Sequence, residues 1–205
     1  MCIEASVLFV FCLPIWVLVR MILWFIRKRK KIALDFKREV LLWIFFLYII
    51  CVFSITFFPL NIIIGEERRW VSYNIIPVVG TVREVSNITD NAVMHNFMIK
   101  FWIKNIIGNI LLLMPLGVLL PMLRDRFKST VRTVIFGFLF SLGIESVQLL
   151  SGYIGNIGRA FDIDDIILNT LGVWIGVLLY NKLIKGIIKI YEFKRYKRKT
   201  DKQVT

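Results

Sequence analysis

The sequence predicts an all-α, polytopic integral membrane protein with about five transmembrane helices and a further helix lying on the outer interface. Three observations carry this fold class. Of the 205 residues, 58% are hydrophobic and the mean hydropathy is +0.72, whereas a soluble globular chain is about 45–50% apolar. Five separate apolar stretches approach or exceed the ~20 helical residues that cross a hydrocarbon core. Lys and Arg crowd into every second connection, the charge asymmetry of a multi-pass protein. A β-barrel is not expected, because apolar runs this long in lipid satisfy their backbone groups within one helix.

The predicted spans are Ala5–Ile26, Val40–Leu60, Asn105–Leu123, Val131–Leu150 and Ile166–Ile184. The first is not expected to be a cleaved signal. Its leading end carries Glu4, and its trailing end carries the basic run Arg27–Lys31, the reverse of the secretory pattern. Arg20 interrupts this run close enough to its basic end to snorkel toward it. Between the second and third spans lies the only long connection, Asn61–Lys104. Met94, Phe97, Met98, Phe101 and Trp102 recur there at i, i+3, i+4, i+7 and i+8, so Asn91–Lys104 reads as the interfacial helix. His95 is the single histidine, with no second His or Cys near it to complete a metal site. In the third span Gly108 is expected to permit close helix approach, and Pro115 with Gly117 to kink the helix. The basic tail beyond the fifth span is suited to an anionic inner leaflet.

Of the 27 Lys and Arg residues, seven lie in Arg27–Arg38, four in Arg124–Arg132 and nine in Lys182–Lys202. That bias puts the amino terminus outside and the carboxyl terminus in the cytoplasm. Trp70, Tyr73 and Trp102 then fall near the outer interface, and Trp24 and Trp43 near the inner one. The net charge of +13 therefore points to membrane lipids as partners and not to nucleic acid. Cys2, Cys12 and Cys51 show neither metal-ligand nor disulfide spacing and read as small apolar fillers. The organisation is a first helix with its basic loop (1–38), a membrane domain (39–190) and a basic tail (191–205).

The candidate site is the polar content of the last two spans and their connection. Glu145 and Gln148 sit within the fourth apolar run, Arg159, Asp162, Asp164 and Asp165 in or after the turn, and Asn169 within the fifth run. Ionisable groups inside spans are expensive, so they default to a functional hypothesis. Asp162, Asp165 and Asn169 are spaced i, i+3, i+7, and Glu145 and Gln148 i, i+3, so each set shares one helical face. The short connection makes the two helices neighbours, and Asn109 of the third span supplies a third wall. The expected ligand-binding set is Asn109, Glu145, Gln148, Arg159, Asp162, Asp165 and Asn169. Each has a structural reading beside it. Asp162 with Asp165 fits a variant capping box, Asp164 suits a helix start, and Asn105 and Asn109 can act as interhelical glue.

These residues also carry a resemblance. Asn74–Pro77 (Asn-Ile-Ile-Pro), Gly108–Gly117 (Gly-Asn-Ile-Leu-Leu-Leu-Met-Pro-Leu-Gly), Ser141–Gln148 and Gly158–Gly172 together resemble the VanZ-like family, most strongly over residues 74–180. The reference member accompanies glycopeptide resistance and gives low-level teicoplanin resistance without altering the peptidoglycan stem terminus. The resemblance implies a small multi-helix protein of the bacterial cell membrane, and it matches Asn109, Glu145, Gln148, Asp162, Asp165 and Asn169 to the motif's polar positions. It carries over no reaction, so catalytic residues stay unassigned.

Three function classes remain open on the sequence. The first is a non-enzymatic envelope protein whose outward polar pocket binds a lipid-linked or amphipathic molecule, such as a cell-wall lipid precursor or a lipoglycopeptide. The second is a membrane enzyme acting on a lipid head group or undecaprenyl-type phosphate. There a divalent cation would sit on Glu145, Asp162 and Asp165 as hard oxygen ligands, but His95 is remote in sequence and Ser146 and Ser151 lack an adjacent base. The third is a small transporter, disfavoured by the lack of an inverted repeat.

Overall fold

The structure, a computed structural model of the chain, describes residues 2–33, 35–61, 73–74, 92–154 and 161–187. Among them five helices are long and apolar enough to cross a membrane. They are α1 (Ser6–Arg29), α2 (Phe36–Phe57), α3 (Ala92–Leu123), α4 (Thr130–Ile154) and α5 (Ile163–Leu179), the last prolonged by a π-helical turn over Tyr180–Ile184. Local chemistry fixes their ends. Arg27, Lys28 and Arg29 fill the last turn of α1, where cations suit the helix dipole. The Asp35 carboxylate caps α2 by accepting from the Lys37 N–H at 3.1 Å.

Among the described residues, four two-residue strands tie the connections together. β1 (Cys2–Ile3) pairs antiparallel with β2 (Leu60–Asn61), and β3 (Tyr73–Asn74) runs parallel to β4 (Phe161–Asp162). All four lie at one end of the bundle, with the start of α5 and the end of α4. The basic segments after α1, after α3 and at the end of α5 lie at the opposite end.

α3 and α5 form the centre of the bundle, with α4 and α2 packed around them. Leu113, Leu116 and Val173 are fully buried, and Val52, Phe57, Leu120 and Ile144 complete the core. The Tyr48 hydroxyl donates to the Leu112 carbonyl at 2.9 Å and joins α2 to α3. The closest approach is made by glycines. A Cβ on Gly172 would strike the Ile110 carbonyl oxygen, one on Gly176 that of Met114, and one on Gly117 that of Val173. Gly172 and Gly176 form a G-x-x-x-G pair, the spacing that lets two membrane helices bring their backbones together.

Three expectations are corrected. The Asn91–Lys104 segment is helical from Ala92, but it is not a separate interfacial helix: α3 runs unbroken over 32 residues. The amphipathic stripe that suggested a surface helix is the lead-in to a span. Gly108 does not mediate close approach, since a Cβ there would meet nothing within 4 Å; Gly117, Gly172 and Gly176 do. Arg20 does not merely reach for the interface, because it is ion-paired with Glu39 of α2. α4 also extends a turn beyond the expected Leu150. His95 lies on α3, and its side chain is outside the described residues, as are Trp70 and the tail beyond residue 187.

Candidate functional site

Those of the polar residues singled out in the sequence that the structure describes lie toward the end of the bundle where α4 stops and α5 begins. Asp162 is the N-cap of α5. Its carboxylate accepts from the Asp164 N–H at 2.9 Å, and its own N–H donates to Glu145 Oε2 at 3.1 Å. The capping reading of Asp162 is therefore correct, and it coexists with a tie to the buried acid. Glu145 is only 2% exposed, and the bond to Asp162 fastens α4 to the first residues of α5.

Asp165 does not answer the cap as a capping box would. It accepts from the Asn109 side-chain amide of α3. One turn further along α5, Asn169 is 1% exposed and donates to Ser141 Oγ of α4 at 3.0 Å. Asp165 and Asn169 thus share a face, as their spacing predicts, and that face is wedged between α3 and α4. The side-chain oxygen of Asn169, Oδ1, is buried and has no partner among the described residues. An unsatisfied buried acceptor is unusual in a finished core and marks a place where a donor fits.

Gln148 turns away from the acids. Its amide donates at 2.9 Å to the Thr56 carbonyl in the last turn of α2, one of the carbonyls a helix end leaves without an internal partner. Arg159 lies outside the described residues. Two serines near the cluster donate to carbonyls of their own helix, Ser146 to Leu142 and Ser151 to Gln148, both at 2.7 Å.

Two contributors were not in the sequence-derived set. Asn74 reaches Asp162 Oδ1 from its side-chain amide at 3.2 Å, placed there by the β3–β4 register that pairs Asn74 with Asp162. The Asn-Ile-Ile-Pro motif was the available signal, although nothing local joined it to a residue 88 positions away. Ser141 precedes Glu145 by one helical turn on the same face, a spacing that was legible. We expect Ser141→Ala to cost about 1–3 kcal/mol, because it strands the buried Asn169 amide. Thermal unfolding in detergent checks this, and an unchanged transition would remove the pair from the core's energetics.

Each of three carboxylates accepts from an amide: Glu145 from the Asp162 N–H, Asp162 from Asn74 and Asp165 from Asn109. Among the described residues no three His, Cys, Asp or Glu side chains gather closely enough to hold a metal ion. Beside the cluster, a groove of about 480 Å³ runs between α2 and α3. Ile55, Leu111 and Leu112 form its apolar wall, and Lys104, Asn105 and Asn109 its polar side. Asn109 belongs to both groove and cluster.

These features define a polytopic α-helical membrane protein with an acid–amide cluster built into one end of its bundle. The family model described as VanZ/LLP1 matches residues 45–186, and the chain belongs to that family. The matched region covers every polar residue of the cluster and leaves α1 outside. No curated protein and no solved structure gives a significant match.

Proposed function

We propose that this protein acts in the bacterial cell envelope by binding the polar part of a lipid-linked or amphipathic molecule at the acid–amide cluster, and that it thereby lowers susceptibility to lipoglycopeptides of the teicoplanin type. One observation carries the reading. The groove between α2 and α3 has an apolar wall for a chain and is lined by Asn109, whose amide is bonded to Asp165 of the cluster. Amphipathic ligands are held this way, with apolar contacts supplying area and a few polar groups fixing orientation. The reading takes the cluster as outward-facing, supported by the crowding of Lys and Arg into the segments at the other end of the bundle. Binding is favoured over turnover because Ser146 and Ser151 donate to carbonyls of their own helix.

The test is teicoplanin susceptibility in a sensitive host expressing wild type, Glu145→Gln or Asp165→Asn at equal membrane abundance. Both substitutions keep a side chain of the same shape with an acceptor oxygen and remove the ionisable carboxyl. Each should return susceptibility to that of the host alone. Full protection by both variants would remove the cluster from the account.

A further inference from the structure

We propose that the cleft between α1 and α2 at the basic end of the bundle is a binding site for an anionic phospholipid, whose phosphate is held by Arg20 and Arg27. The cleft lies outside the family-matched region and does not depend on the reading given to the acid–amide cluster.

Two guanidiniums there share one carboxylate. Arg20 and Arg27 of α1 both pair with Glu39 in the first turn of α2, the Arg27 contact being 2.6 Å. One positive charge is left over in a place of limited exposure: the side chains of Arg20, Glu39 and Arg27 are 13%, 20% and 29% exposed. The Arg20 Nε–H is buried without a partner among the described residues. A surplus charge and an unused donor on a planar fork are what a phosphate oxygen satisfies.

The site is built rather than incidental. Trp16 stacks on Phe46 of α2 with centroids 4.4 Å apart and meets Trp43 edge-on at 6.1 Å. Arg20 lies 5.6 Å from the centroid of the same Trp16 ring, a cation–π contact that fixes the guanidinium's height. Between these groups is a cavity of about 250 Å³ lined by Arg20, Arg27 and Glu39 and by Val17, Met21 and Trp24. From Val17 to Arg27 the helix rises about 15 Å, the reach of a head group and the first part of its acyl chains. Val17 lies toward the bundle's middle and Arg27 toward its basic end, with Arg20, Met21 and Trp24 between them, so the cavity sets apolar surface beside its charges, as the glycerol and upper acyl region of a phospholipid require. No residue of α1 is buried, so lipid has access along the helix. Free phosphate has the same head chemistry, but it would leave the Val17–Met21–Trp24 portion unused, so a lipid is the occupant.

The experiment is native mass spectrometry of the detergent-purified chain titrated with phosphatidylglycerol or phosphatidylcholine, with inorganic phosphate as a third arm read by thermal shift. Wild type should retain one phosphatidylglycerol with about tenfold or greater preference over phosphatidylcholine, and phosphate alone should give no shift. Arg20→Gln/Glu39→Gln keeps a neutral hydrogen-bonding pair and therefore the fold, and it should weaken the preference, because Arg27 is left to hold the phosphate alone. Glu39→Gln removes the internal competitor and should strengthen it. Arg27→Gln, near the helix end, should weaken it without affecting folding. Equal retention of both lipids by wild type, a preference unchanged in the double variant, or a Glu39→Gln protein that is less stable with the same lipid preference would each overturn the proposal. A thermal shift with phosphate equal to that with lipid would overturn the assignment to lipid.

Discussion

Replacing Gly176 by alanine should cost about 3 kcal/mol or more of stability, and replacing Gly172 should cost a similar amount. Overpacking a membrane or soluble core usually costs about 1–3 kcal/mol, because neighbouring side chains rotate away. Here the obstacle cannot rotate. The new methyl would meet the backbone carbonyl oxygen of Met114 or Ile110, and the Gly117 Cα stands 3.1 Å from the Cβ position at Gly176. Relief requires α3 and α5 to move apart, which opens the contact on which Leu113, Leu116 and Val173 are fully buried. With native stabilities of about 5–15 kcal/mol, much of the folded population is at stake. Gly108→Ala is the control. It adds the same methyl to the same helix with nothing within 4 Å, and alanine's higher helix propensity, about 1 kcal/mol, makes it neutral or stabilising. Denaturation in mixed micelles and the yield of monodisperse protein both read the difference. Equal losses at Gly108 and Gly176 would show that glycine was needed for something other than the α3–α5 approach.

At Glu145 the expected result separates shape from chemistry. Glu145→Leu should lower stability by about 1–3 kcal/mol, since it leaves the N–H of Asp162 without the Oε2 acceptor that now stands 3.1 Å away. That N–H belongs to the N-cap of α5, so the loss loosens the start of the helix that also carries Asp165 and Asn169. Leucine relieves the cost of burying a carboxylate, which opposes the loss; the stranded donor is expected to win because Asp162 is only half-buried but fixed by Asn74 and by its own cap. Glu145→Gln retains an acceptor oxygen in the same position and should unfold within about 1 kcal/mol of wild type, while losing the activity proposed for the cluster. Thermal unfolding in detergent measures both. A Leu variant as stable as wild type would mean the bond contributes nothing to the join between α4 and α5.

How much of this was legible beforehand varies by residue. The spacing of Asp165 and Asn169 placed them on one face, and the structure uses that face against both α3 and α4. The reading of Asn109 as a third wall also holds, since its amide meets Asp165. By contrast Gln148, on the same face of α4 as Glu145, serves the end of α2. A helical face is wide enough to reach two neighbours, and the sequence does not divide it between them. The stripe over Met94–Trp102 suits a surface helix and the lead-in to a span equally, because an amphipathic segment and the flank of a span obey the same periodicity.

By itself the sequence determined the helical membrane class, the number of spans and the segregation of basic residues to alternate connections. These follow from hydropathy and charge, which act residue by residue and survive any arrangement of the helices. The tertiary structure alone decided which glycines touch a backbone, that Asn74 meets Asp162 across 88 positions, and that Glu39 holds Arg20 and Arg27. Each of these depends on which helix faces are turned toward each other. In a bilayer both a lipid-facing and a helix-facing surface are apolar, so hydrophobicity cannot distinguish them; steric fit and buried hydrogen bonds do.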